Sequence, residues 1–204
     1  MAITGQPPRP SLASARGLWA RWRARRAGRI ARRRAANDLY RTLVDHARTP
    51  AFFRELGVPD TPEGRFEMIA LHVALAVRRL RREGARGQAL GQELFDLMFV
   101  DMDQSLRELG VGDLSVGRYV KRLARNFYAR LAVLDESLAS GDLVRLQAMI
   151  ERNVLHGAAA SPDARRLDAL ATWLVEQDRG LAGQDGARLL GGEIAFVAPN
   201  SHIA

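Results

Sequence analysis

Asp101, Asp103 and Ser105 stand at alternate positions, the opening spacing of a calcium loop. Such a loop needs Gly at its sixth position for a sharp turn and a bidentate Glu at its twelfth, and the chain has Leu106 and Gly112 there. Gly110, Gly112 and Gly117 fail as a dinucleotide fingerprint, because Ser115 takes the place of the third glycine and no strand precedes. They read instead as the end of one helix and the start of the next. Cys is absent, which removes disulfides and thiolate ligands. Histidines 46, 72, 156 and 202 never take the i, i+4 spacing of a helical zinc pair. No nucleophile, base and acid converge, so neither catalysis nor a cofactor or metal is expected.

Binding chemistry is the class left, and its candidates sit on helix faces. With Met98 at the centre of an apolar face, Leu94, Phe95, Met102 and Leu109 fall within about 60° of it. Asp96 and Asp103 fall opposite, with Arg107, and are candidates for an exposed acidic contact with a partner. Asp101 lies about 60° off centre, inside the apolar arc, so it is expected to be paired, with Arg65, Lys121 or Arg122 as partner. Arg118, Lys121, Arg122 and Arg125 form a basic stripe on the helix that carries Phe127 and Tyr128. That stripe suits a solvated face, and equally a nucleic-acid or phospholipid contact.

The segment from Pro62 to Arg82 is apolar on two sides: Phe66, Ile69, Val73, Val77 and Leu80 on one, Met68, Leu71 and Leu75 on the other. Such a helix is central in a bundle, or it leaves one stripe open as a docking groove of Met68, Leu71 and Leu75 flanked by His72.

The elements that must position these groups are all helical. Residues 1–14 are rich in Pro and small residues and read as disordered. A helix is expected from Ala15 to about Ala47, with Asn37-Asp38 offering a break or cap. A short turn follows Pro50, and Thr61 with Pro62 is a strong helix start. Further helices are expected at about 88–109, from Ser115 to Leu138, at 142–154, from Pro162 to Asp178 under a Ser161 cap, and at 185–190. The tail GGEIAFVAP is expected to be extended or docked, through Ile194, Phe196 and Val197. The spacing of Val116, Val120, Leu123, Phe127, Leu131, Leu134 and Leu138 marks one buried stripe. No strand-rich run appears, so the fold class is all-α: a basic, partly disordered arm (1–34), one compact multi-helix domain (35–190) and a tail (191–204).

The block LFDLMFVDMDQSLRELGVGDLSVGRYVKRLARNFYARL, residues 94–131, resembles the signature of the ubiquinol–cytochrome c chaperone family. The likeness is carried by Leu94-Phe95, Met98-Phe99, Asp101-Met102-Asp103, Leu106-Arg107-Glu108, Gly110-Val111-Gly112-Asp113, Val116-Gly117, Val120-Lys121 and Phe127-Tyr128. GRFEMIALHVAL (64–75) adds to it, and the whole covers roughly residues 37–140. Arg118 and Ala129 depart from the pattern, where Lys and Gly are usual. The resemblance implies an all-helical, non-enzymatic assembly factor that handles cytochrome b as the reductase is built. It implies nascent or newly inserted cytochrome b as partner, with the ribosome and a small partner protein as further candidates. A place in the cytoplasm at the inner membrane follows, or the matrix in a eukaryote.

Charge is segregated along the chain. Of 31 Lys and Arg, ten Arg lie in residues 1–34, which hold no acid, while residues 35–204 carry 21 basic and 23 acidic groups. The arm is therefore +10 and the rest −2. Trp19 and Trp22 sit among Arg21, Arg25, Arg26, Arg29 and Arg33, a composition for adsorption to anionic lipid with the indoles at headgroup level. RNA or a ribosome would attract the same arm, making a nucleic-acid-binding helical protein the rival reading. An Arg-rich, acid-free mitochondrial presequence is a third. No apolar run is long enough to span a bilayer or to serve as a secretory signal.

Overall fold

A computed structural model describes residues 12–108, 113–156 and 163–199, with side chains for all of these except 12–21, 106 and 113–123. It is all-α: α1 (Leu12–Ala47), α2 (Pro50–Arg54), α3 (Pro62–Leu80), α4 (Gly84–Glu108), α5 (Asp113–Ser140), α6 (Leu143–Asn153), α7 (Ala164–Ala182) and α8 (Gly186–Leu190). A 3₁₀ turn, Arg81–Glu83, joins α3 to α4. None of these helices is long and apolar enough to cross a membrane.

Local signals explain most of the boundaries. Thr61 accepts from the Gly64 amide and Pro62 opens α3, while Asp142 and Asp185 cap α6 and α8. Asp163, not Ser161, caps α7, accepting from the Arg165 amide; Ser161 and Pro162 lie outside the described residues. α5 already runs from Asp113, so Ser115 stands within its first turn. Asn37-Asp38 does not break α1. Asn37 Nδ2 donates back to the Arg33 carbonyl at 2.7 Å, and Ala35, Ala36, Leu39 and Leu43 around it are buried, so packing overrides a weak helix former.

α3 is the central element, touching α1, α4, α5, α7 and α8. Gly84 (φ 63°) allows the reversal into α4, and at Gly91 a Cβ would already touch Val77 at 3.6 Å, so α4 lies close on α3. Ion pairs then fix the outer helices. Arg78 bonds Asp178 and Asp135 at 2.8 Å each, and Arg81 reaches Asp135 at 2.6 Å, joining α3 to α5 and α7. Glu67 pairs with Arg130, and burial raises its carboxyl above the usual range against the pull of that cation. Arg79 closes the end of α7, donating to the carbonyls of Leu181 at 2.8 Å and Gln184 at 2.7 Å.

The tail docks through its backbone. The Gln177 amide group exchanges bonds with Val197 N and O (2.9 and 2.8 Å), and Gln184 does the same with Ala195 (3.1 and 2.6 Å). Two side-chain amides thus act as the missing partner strand. Of the expected anchors, Ile194 and Phe196 pack on the core, but the Val197 side chain is exposed and only its peptide is held.

Candidate functional site

The expected groove on α3 does not exist. Met68, Leu71, His72 and Leu75 are all buried, because α3 is packed around its whole circumference and both apolar stripes are consumed. His72 instead belongs to a closed aromatic cluster. Its Nδ1 lies 2.7 Å from the Met68 carbonyl and its Nε2 lies 2.9 Å from His46 Nδ1. A carbonyl only accepts, so His72 carries its proton on Nδ1, and His46 Nδ1–H donates to the free His72 lone pair. Phe52, Trp173 and Phe196 surround the two rings. Burial pushes His72 from 6.5 down to about 3 and lowers His46 as well. Residues 26 apart in sequence thus meet across α1 and α3, which no local spacing could signal.

Among the described side chains, the partner of Asp101 is a phenol. Tyr40 of α1 donates its phenol to Asp101 Oδ2 at 2.8 Å; burial, then this carboxylate, holds the phenol above its ordinary range. Arg65 is engaged with Asp60 at 2.6 Å, and the side chains of Lys121 and Arg122 lie outside those described. Asp96 is exposed and accepts from Gln92 at 2.8 Å. Asp103 pairs with Arg107 at 2.7 Å on the outer face.

Between α4 and α5 a second aromatic cluster is half open. Phe95 packs on Phe99, Phe127 and Tyr128 with ring centroids 4.5, 5.1 and 4.9 Å away. Tyr128 keeps 47% of its surface in solvent; Val100, at 65%, is on the outer face of α4 near Asp96, about 140° around the helix from Phe95. A cavity of about 110 Å³ opens beside the rings, lined by Val77, Gly91, Gln92, Phe95 and Tyr128 among others. Arg125 is exposed one turn before Tyr128, and Asp96 one turn before Val100. This face is apolar at its centre with polar flanks. The Phe95/Phe99 i, i+4 pair is visible in the sequence; the exposure of Tyr128 beside it is not.

Family-model comparison matches residues 54–196 to the ubiquinol–cytochrome c chaperone family. The chain belongs to that family. It is 28% identical over 156 residues to ubiquinol–cytochrome-c reductase complex assembly factor 1 of Xenopus laevis, covering 76% of each protein. The Homo sapiens protein of the same name is 27% identical over 163 residues, 79% of this chain and 54% of the human protein. Among solved structures, the Cbp3 homologue of Brucella abortus superposes with a TM-score of 0.75 at 33% identity, covering 86% of this chain and 96% of that one. In this family member the signature residues Leu94, Met98 and Met102 are core, while Phe95, Phe99, Phe127 and Tyr128 build the half-open cluster.

Of the arm residues, Arg25, Arg26, Arg29 and Arg33 are exposed, and Arg26 stacks over the Trp22 ring at 5.4 Å. Trp19 and Arg21 lie on the helix with side chains outside those described. α1 passes without interruption from this basic segment into the core, and Arg32 already bonds Glu93 of α4 at 3.0 Å.

Proposed function

We propose that this chain assists assembly of ubiquinol–cytochrome c reductase by holding cytochrome b, newly made or newly inserted, against the α4/α5 aromatic face at the membrane surface. The observation that carries this reading is the open rim of that cluster at Tyr128, 47% exposed beside Phe95 within the family signature. An apolar membrane subunit needs its hydrophobic surface shielded until it is packed, and an aromatic patch with Asp96, Asp103 and Arg125 around it can do so reversibly. No chemistry is asked of the chain; its role is that of a non-enzymatic chaperone.

Deletion should lower assembled reductase and its b-type haem absorbance while quinol oxidases stay intact. Tagged protein pulled down from respiring membranes should bring cytochrome b, and Tyr128→Ser should cut that capture on the order of tenfold. Val144→Ser, at a more exposed apolar position on α6, should leave capture unchanged. Normal reductase in the deletion strain would overturn the proposal. Capture of ribosomes without cytochrome b would favour the nucleic-acid reading of the basic arm.

A further inference from the structure

A second opening lies on the opposite flank of α4, where the basic part of α1 runs past the start of α4. The cleft holds about 690 Å³, a size that suits a small-molecule ligand. Trp22, Arg25, Arg29 and Arg32 line it from α1 at spacings of three and four, so they form one stripe. Arg86, Ala89 and Leu90 line it from α4, and Leu190 from α8.

Several arginines of the domain are neutralised by neighbours. Arg78, Arg79, Arg81, Arg130 and Arg188 are each closed by a carboxylate. Arg32, at the inner end of the cleft, is likewise held by Glu93. Arg25, Arg29 and Arg86 share the cleft with no carboxylate among its lining residues. Like charges at i, i+4 destabilise a helix, and this repulsion has no compensation within the cleft. Beside the guanidiniums the lining is apolar, made by Trp22, Ala31, Ala89 and the partly buried Leu190, with Leu90 buried behind them. A group of cations beside a hydrocarbon wall fits a ligand that is anionic at one end and apolar at the other.

We propose that this cleft binds an anionic phospholipid, with its phosphate among Arg25, Arg29 and Arg86 and acyl carbons against Ala89 and Leu190. A nucleic acid would use the guanidiniums but has no use for the methyl-lined wall, and one face of the Trp22 ring is already covered by Arg26. The inference deepens the membrane-surface part of the proposed function, and its test needs no cytochrome b, so the two can fail separately.

Gly28 lines the cleft and a Cβ there meets nothing within 4 Å. Gly28→Leu therefore fills the cleft without altering charge, and it favours the helix. The full chain would be titrated with short-chain phosphatidylglycerol below its micelle concentration, short-chain phosphatidylcholine, inorganic phosphate and a single-stranded RNA oligomer. Saturable binding of the phosphatidylglycerol is expected, weakened on the order of tenfold by Gly28→Leu and by Arg29→Gln with Arg86→Gln. Arg33→Gln with Arg34→Gln, an equal charge change outside the lining, should weaken it under about threefold. Equal binding by wild type and Gly28→Leu, equal affinity for inorganic phosphate or phosphatidylcholine, or binding of RNA alone would each overturn the site. Circular dichroism of each variant verifies that the fold is kept.

Discussion

Two aromatic clusters in this molecule are built from similar residues and have opposite fates. His46, His72, Phe52, Trp173 and Phe196 are sealed between α1, α3 and α7 by the returning tail. Phe95, Phe99, Phe127 and Tyr128 sit where α4 and α5 meet beside Val77 of α3, and among the described residues no element covers Tyr128. The difference lies in what lies above the rings, not in the rings. A sealed cluster contributes stability through dispersion and desolvation, whereas an open one leaves the same surface available to a partner.

The largest effect expected from this contrast is in stability. Trp173→Ala removes a side chain that is 2% exposed together with its bond to the Val197 carbonyl, and should cost about 3–5 kcal/mol in denaturant unfolding. Tyr128→Ala at the open rim should cost under about 1 kcal/mol and act on client capture instead. Similar losses for the two would mean that the α4/α5 cluster is as closed as the first.

Acid should unfold the sealed cluster selectively. His72 and His46 are held neutral, with pKa values below those of the unfolded chain. Below about pH 6.5 the unfolded state therefore binds more protons, and stability falls as pH falls toward the folded value of about 3. Each histidine contributes up to about 1.4 kcal/mol per pH unit across the interval between its two values. His72→Gln, which can still donate to the Met68 carbonyl, should flatten the melting temperature between pH 7 and pH 5. An unchanged slope would show that other groups carry the acid response.

The smallest effects lie at the seam between the clusters. Asp101→Ala strands the half-buried Tyr40 phenol and should cost about 1–3 kcal/mol, with Tyr40→Phe recovering part of that loss in a double-mutant cycle. Asp103→Ala, whose ion pair with Arg107 is exposed, should cost under about 0.5 kcal/mol. Equal thermal shifts for the two aspartates would break the helical phase that separates them.

That phase was readable in the sequence, because period and position fix which side of α4 a residue takes. The described partner of Asp101 was not: it is a phenol from α1, 61 residues away. The same limit applies to His72, whose hydrogen-bond partner is 26 residues upstream, and to α1, whose basic half and buried half form one helix.

The sequence by itself determined the helical class, the starts of α3, α6 and α8, the inner face of α5 from Phe127 onward and the family. These follow from caps, spacing and motif, all of which act within a few residues. Only the tertiary structure decided that Met68, Leu71, His72 and Leu75 are core, that Tyr128 and Val100 are open, and that Arg25, Arg29 and Arg86 share a cleft. A side chain's burial depends on which distant element covers it, and an amphipathic pattern names the face to be covered without naming the cover.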